Sequence, residues 1–542
     1  MHESASVRDR VTRRLNLSAW RPPARGSYAA GLTLCWALLL ATEVAISVWL
    51  CQGHLVYSLD DPYIHLTLAN NILDGTYGIN IGEASSPSSS IIWPWILAGS
   101  QWLRLGTLAP LLLDSVAAGA AVYTGARFLE EIGFVDPKQA PLFAATNGVV
   151  LILTTNALGL PMTGMEHSWH VLAVVLTVRG LFHAVGGRAP SFLVLAAIAL
   201  TPLIRFEGAA LASAAIMALF WLGYRLQAIA VAAIVALSIG AYAAYMSYLQ
   251  LPLLPSSVLI KSQVTAIAYQ GGASGFAAVI GSTYHNLIDN LSYPSLILSL
   301  AVCLLATYRQ GLRSRWPAFY LPAAFTTVAH LCFGRHGGFY RYEIYVLTLG
   351  WLVTVTGLTQ LRDWLAPSSA RFYQATLLAI GAVFASSEVQ APIKTPLAAR
   401  DVYDQQYQMA RFAQQYYAAP VAVNDLGLVS FRNTNYVLDL FGLGSETVRK
   451  LRLSGRFDAK AINDTVVRTH VGLIMIYESW YPGLIPADWR RVAVLSTGPA
   501  VSNADSSVTF FASPLGDAGA IKAELSRFKR SLPPRDSLRI LP

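Results

Sequence analysis

Two adjacent carboxylates, Asp60 and Asp61, stand immediately before Pro62-Tyr63-Ile64-His65. Asp61 suits a helix N-cap, Pro62 the first helical position and Gly75 the helix end. Ile64, Leu68 and Ile72 then form one apolar stripe, as on a helix that lies along a membrane surface. Capping needs one carboxylate, so Asp60 is in excess. A carboxylate at an apolar face can act as a general base or hold a cation. A third acid, Glu166, lies in Thr163-Gly164-Met165-Glu166-His167-Ser168, where a favourable helix dipole would also account for it. His167 and His170 lack partners at metal-ligand spacing.

The cations fall in three further clusters. Arg205-Phe206-Glu207-Gly208 is an ordinary structural ion pair or a phosphate grip, because the planar donor fork of arginine matches phosphate. Lys261 follows Pro255-Ser256-Ser257, and snorkelling is its bland role. Arg335-His336-Gly337-Gly338-Phe339-Tyr340-Arg341 carries two arginines around a glycine pair, a pattern suited to an anionic ligand. Carboxylates and phosphate-capable cations beside an apolar region match transfer from a lipid phosphate. The lipid tail stays in the bilayer, cations hold the leaving phosphate, and a carboxylate activates an acceptor hydroxyl.

The elements that must position these groups are membrane helices. Of 542 residues, 54% are hydrophobic and 13% charged, against about 25% charged in soluble domains. That balance excludes a soluble enzyme and a disordered chain. The four cysteines (Cys35, Cys51, Cys303, Cys332) have no disulfide or zinc spacing. The formal charge of +9 does not form a nucleic-acid stripe, because its arginines gather at the ends of apolar runs. Arg8, Arg10, Arg13, Arg14, Arg21 and Arg25 precede the first run, residues 28–51, and read as a signal anchor with a cytoplasmic N-terminus. Further spans are expected at 108–127, 141–158, 168–184, 191–205, 208–224, 227–248, 291–308, 317–333, 342–360 and 372–389. That makes about eleven, if residues 91–105, with Trp93, Trp95 and Trp102, lie flat in the interface. All five polar clusters then share the outer face.

From about residue 392 the texture changes to that of a small α/β domain. Strands are expected at 421–423, 471–476 and 492–495, and helices near 401–418, 445–453 and 518–529. The division is therefore 1–391 as a transmembrane domain and 392–542 as a soluble extracytoplasmic domain. No internal repeat is visible, which weighs against an inverted-repeat transporter.

The ordered motifs resemble the GT-C superfamily of polytopic, polyprenyl-phosphate-sugar-dependent glycosyltransferases, and within it the mycobacterial terminal arabinofuranosyltransferases. Asp60-Asp61-Pro62-Tyr63-Ile64 matches that family's Asp-Asp-x-Tyr-Ile segment, and Asn71-Ile72-Leu73-Asp74-Gly75-Thr76-Tyr77-Gly78 its Asn-Leu-x-x-Gly-x-Gly stretch. Thr163-Gly164-Met165-Glu166, Arg205-Phe206-Glu207-Gly208, Pro255-Ser256-Ser257 through Lys261, Arg341-Tyr342 and Asn424-Asp425-Leu426-Gly427 follow in the family's order, with Asp439-Leu440-Phe441-Gly442-Leu443 after them. Phe206 stands for a proline, Ser256 for an asparagine, and Ala84-Ser85-Ser86-Pro87-Ser88 for a Val-Glu-Gly-Tyr-Thr-x-Pro segment.

The resemblance implies a GT-C-type fold and an inverting transfer, possible donors including polyprenyl-phosphate arabinofuranose. The acceptor would be a cell-envelope glycan or glycolipid, on the outer face of a bacterial inner membrane. It implies Asp60 as base, Asp61 as its support, and Glu166 as a second catalytic carboxylate. Arg205, Lys261, Arg335, His336 and Arg341 would hold the donor phosphate, with Tyr63, Glu83 and Tyr340 in substrate contact. A lipid-monophosphate donor requires no cofactor; a divalent cation, if used, would fall to Asp60 and Asp61. The competing readings are a transporter or flippase of a lipid-linked sugar and a catalytically degenerate GT-C scaffold.

Overall fold

The computed structural model describes residues 27–261, 273–365 and 370–542. Each stretch expected to span the membrane is helical. Six are long and apolar enough to cross a bilayer: Ser27–Leu50, Gly106–Glu131, Pro141–Thr163, His167–Val185, Arg225–Tyr248 and Ile344–Arg362. Their outward sides are apolar, with Leu38, Trp49, Leu226 and Leu237 all exposed, as helices facing lipid require. Val279–Asn290 and Pro294–Gln310 form a further pair bent by 96°. The break precedes Pro294, which has no N–H to continue a helix.

The expected spans at 191–205, 208–224, 317–333 and 372–389 form shorter apolar helices, Phe192–Ile204, Gly208–Trp221, Pro317–Phe333 and Arg371–Ala385. At 13 and 14 residues, the first two fall short of the roughly 20 needed for an untilted crossing. They stop for a local reason. Gly208 sits so close to the first helix that a Cβ there would lie 2.4 Å from the Thr201 carbonyl oxygen. The chain breaks between them and presents Arg205, Phe206 and Glu207 at the end of the bundle that carries the α/β domain.

Trp93–Trp102 is a short helix with Trp95 and Trp102 exposed, the aromatic edge expected of an interfacial element. The helix Asp61–Leu73 differs from its expected surface position. Tyr63 through Ala69 are buried throughout, because the α/β domain covers the side that faces away from the bundle. Thr67 reaches Ser430 of that domain at 3.2 Å.

The α/β domain starts from the helix Ala391–Val402, which packs on Ser27–Leu50. Its helical path continues through π-type turns at Tyr403–Tyr407 and Phe412–Tyr417. Six strands follow: β1 Val421–Val423, β2 Val437–Asp439, β3 Leu473–Ile476, β4 Arg490–Ser496, β5 Ser507–Ala512 and β6 Ser537–Ile540. Their order is β2-β1-β3-β5-β4-β6. β1 pairs parallel with both β2 and β3, while the β3–β5, β5–β4 and β4–β6 pairs are antiparallel. Sequence patterning misses β2, β5, β6 and the helix Ala459–Arg468. The loops after β1 and β2, at the carboxyl ends of the parallel strands, are those that meet the bundle.

Candidate functional site

The site is built where the break after Ile204, the helix start at Asp61 and the β1 loop converge. Asp60 occupies the N-cap position, but neither it nor Asp61 caps the helix that follows, so the expected capping role of Asp61 is not what the fold uses. Asp60 instead accepts the backbone N–H of Gly427 at 2.6 Å and of Leu428 at 2.8 Å. Both of its oxygens are thereby committed to the α/β domain. A Cβ on residue 427 would lie 2.1 Å from the Asp60 carbonyl oxygen, so only glycine permits the approach. Burial and the neighbouring Asp425 push Asp60 well above the usual carboxylate range, and the two N–H donors oppose them.

Asp61 turns the other way and pairs with Arg341 Nη2 at 2.6 Å. Arg341 is buried, and its Nε and Nη1 have no hydrogen-bond partner among the described residues. It emerges from an unusual turn: Gly337, Gly338, Phe339 and Tyr340 all have positive φ, at 76°, 55°, 63° and 60°. The two aromatic residues are strained there, each by about 1–2 kcal/mol. The turn closes on Gly337, whose N–H donates to Glu343 at 2.9 Å. It delivers Arg341 and Tyr342 side by side. The Tyr342 ring is a common face for three guanidiniums, Arg205 at 5.7 Å, Arg335 at 5.5 Å and Arg341 at 5.0 Å.

Arg205 is buried and doubly paired, to Glu166 at 2.9 Å and Glu207 at 2.7 Å. Burial works against both charges, yet Arg205 holds Glu207 down to about 2 and is itself raised by its two acids. Ser89 bridges the set, accepting from Arg205 and donating to Glu166. Arg335 differs: it is exposed and makes no ion pair among the described residues.

Two cavities meet at Asp61 and Arg341. The first, about 180 Å³, holds Arg205, Arg335, Arg341, Tyr342 and Ser257, with apolar walls from Phe206 and Phe333. The second, about 250 Å³, lies between the bundle and the α/β domain, and includes Asp60, Asp425, Asn424, Gln406 and Trp480. Asp425 receives Tyr477 Oη at 2.7 Å and Gln406 Nε2 at 3.1 Å. Asp439, at the end of β2, accepts the N–H groups of Phe441, Gly442 and Gly444, which shapes the loop that brings Phe441 and Leu443 to this cavity.

The structure thus brings Asp60, Asp61, Arg205, Arg335 and Arg341 to one junction. It places other expected residues elsewhere. Glu166 is buried behind Arg205, paired with it, and lines neither cavity. His336 stacks on Tyr293 with ring centroids 4.0 Å apart, burial brings its pKa down to about 4 and leaves it neutral, and it lines neither cavity. Tyr63 is a core residue whose hydroxyl accepts the Tyr57 N–H. Glu83 accepts from Tyr436 Oη at 2.7 Å, as part of a contact with the edge strand β2. Tyr340 lends its carbonyl oxygen to Asn156. Lys261 ends the helix Ser256–Lys261, and its side chain lies outside the described residues.

The Asp60–Asp61 pair does not fit a cation site. Asp60 spends both oxygens on backbone donors, and among the described residues no three His, Cys, Asp or Glu side chains are grouped to hold a metal. The residues that sequence reasoning missed are Ser89, Gln406, Tyr477 and Trp480. Trp480 alone carried a signal, an indole within the otherwise polar turn Glu478-Ser479-Trp480.

Residues 398–511 match a domain of unknown function (DUF8728), a stretch that includes every α/β-domain residue of the second cavity. No curated protein matches the chain in sequence. Among solved structures, the Archaeoglobus fulgidus oligosaccharyltransferase in complex with Zn and sulfate is similar at 12% identity and a TM-score of 0.44, covering 93% of this chain and 75% of that one. The archaeal oligosaccharyltransferase AglB from the same organism, in complex with an inhibitory peptide and a dolichol-phosphate, is similar at 12% identity and a TM-score of 0.45, covering 90% and 77%.

Proposed function

We propose that the chain is an inverting, GT-C-type membrane glycosyltransferase, moving a sugar from a polyprenyl-phosphate donor to a glycan or glycolipid acceptor. The observation that carries this reading is the Asp61–Arg341 pair at 2.6 Å, shared by a cationic cavity and an acidic one. Arg335 and Arg341 hold the lipid phosphate in the first. The acceptor hydroxyl approaches from the second.

In the transfer, the hydroxyl oxygen bonds to the anomeric carbon and Asp61 takes its proton. The anomeric C–O bond breaks, and its electron pair leaves on the polyprenyl phosphate, where the arginines offset the charge. Asp61 serves as base in preference to Asp60, since the Asp60 oxygens already accept from Gly427 and Leu428. Arg205, neutralised by Glu166 and Glu207, is the rigid wall of the phosphate cavity.

The ordered motifs support arabinofuranose as the first donor sugar to try. The arginine bias of the loops supports a cytoplasmic N-terminus and a site on the outer face of a bacterial inner membrane. The test is transfer from a panel of radiolabelled polyprenyl-phosphate sugars by membranes carrying wild type, Asp61→Asn or Asp60→Asn at equal protein levels. Wild type transfers, Asp60→Asn retains transfer, and Asp61→Asn loses roughly a hundredfold or more. Full activity in Asp61→Asn would remove the base assignment. No transfer from any donor would overturn the enzyme reading in favour of lipid-linked sugar transport or a scaffold.

A further inference from the structure

We infer that the acidic cavity takes an uncharged saccharide as acceptor, stacked on Trp480, and excludes acceptors bearing phosphate or uronate groups at that position. This rests on the transfer reading for the word acceptor, but the binding chemistry stands on the cavity itself.

Three observations carry it. The first is the aromatic floor. Trp480 is 36% exposed at the cavity, with its ring 5.4 Å from Phe441 and 5.3 Å from Tyr477. An indole fixed by two rings offers a flat apolar face at little entropic cost, suited to the C–H face of a sugar ring. The second is the set of polar atoms without a partner among the described residues. Asn424 Nδ2 and Gln406 Oε1, both on buried side chains, are unpaired, and so is Ser502 Oγ. They offer a donor, an acceptor and a hydroxyl, as the hydroxyls of a sugar require. A buried polar group without a partner is costly, so such a set marks a place where a ligand completes the bonding.

The third is charge. Asp60, Asp61 and Asp425 line the cavity, and Arg341, already paired with Asp61, is the one cation among the described residues that line it. An anionic group would meet three carboxyl groups against a single guanidinium, which Asp61 already engages through Nη2. The other cavity sets three arginines, Arg205, Arg335 and Arg341, against two carboxylates, Asp61 and Glu207, so its balance is cationic and the junction sorts an anionic substrate from a neutral one by side.

Two measurements test this on the full-length chain in detergent or nanodiscs. Calorimetric titration with neutral oligosaccharides, and with the same compounds carrying a uronate or phosphate, reads binding without turnover. Neutral compounds bind to wild type, the anionic forms bind at least about tenfold more weakly, and Trp480→Ala weakens neutral binding by about tenfold. Trp480→Phe restores most of it, which separates a stacking role from a folding defect. With a reactive donor, Trp480→Ala raises the acceptor KM by a similar factor, and Trp480→Phe brings it back towards wild type. Equal binding of neutral and anionic forms, no neutral binding at all, or unchanged affinity in Trp480→Ala would overturn the inference. Saccharide binding without transfer or hydrolysis of any donor would sink the enzyme reading and leave the neutral-saccharide site standing.

Discussion

Asp60 accepts the backbone N–H of Gly427 at 2.6 Å, across 367 residues of chain and across the boundary between bundle and α/β domain. The carboxylate that the motif resemblance marks as the base is, in the fold, a clamp between the two parts of the molecule.

The clamp can be broken from either side. Asp60→Ala removes two hydrogen bonds from backbone N–H groups, and Gly427→Ala drives a methyl group against the Asp60 carbonyl oxygen. Each is expected to cost about 1–3 kcal/mol of domain docking. Hydrogen exchange at residues 424–430 should rise in both variants while the membrane helices remain protected. Unchanged protection would show that docking does not depend on this contact.

The same group sets a pH dependence. Burial, then Asp425, raises Asp60 in the folded chain to about 8. The folded state thus holds this proton more tightly than the unfolded chain, whose carboxylate titrates near 4. Its contribution to stability is fully present below about pH 4 and is lost as pH rises through about 8. Thermal unfolding followed from pH 5 to 9 should show a falling midpoint in wild type and a flatter profile in Asp60→Asn. Parallel profiles would contradict the assignment.

Arg205 and Arg335 should separate stability from ligand binding. Removing Arg205 leaves Glu166 fully buried and uncompensated, at a cost of about 3–5 kcal/mol. Arg335 is exposed and unpaired among the described residues, so Arg335→Ala should change stability by less than about 0.5 kcal/mol. It should nevertheless raise the donor KM about tenfold or more. Melting curves beside donor kinetics check both, and a destabilised Arg335→Ala with normal donor KM would reverse the assignment.

Gly338→Ala should damage the arginine cluster from outside it. A Cβ at residue 338 would lie 2.2 Å from the Tyr342 ring, and that ring is the face shared by Arg205, Arg335 and Arg341. Phe339→Gly acts oppositely, relieving about 1 kcal/mol of left-handed strain. The two variants should shift the melting temperature in opposite directions, and equal shifts would argue against strain in this turn.

The sequence made the helices legible because lipid imposes long apolar runs, and it located the α/β domain because the texture changes near residue 392. It could not supply the partners. The Asp61–Arg341 bond joins residues 280 apart, and no periodicity encodes that. Asp60 binds backbone N–H groups, which carry no residue signature. Read singly, Ser86 and Ser256 are two departures from a family pattern; in the fold they are one contact, Ser256 N–H donating to the Ser86 carbonyl oxygen at 2.9 Å. The strand β6, Ser537–Ile540, is four residues at a sheet edge, too short for alternation to register against the adjacent turn.

The shared guanidinium has a thermodynamic consequence. Arg341 and Asp61 both face the two cavities while bonded to each other, so a phosphate that draws on the guanidinium in one cavity loosens its hold on the carboxylate presented to the other. Linkage then works in both directions: whatever factor a donor imposes on acceptor affinity, the acceptor imposes on donor affinity. Cooperativity between the two substrates would be written into a single side chain, with no domain movement needed to transmit it.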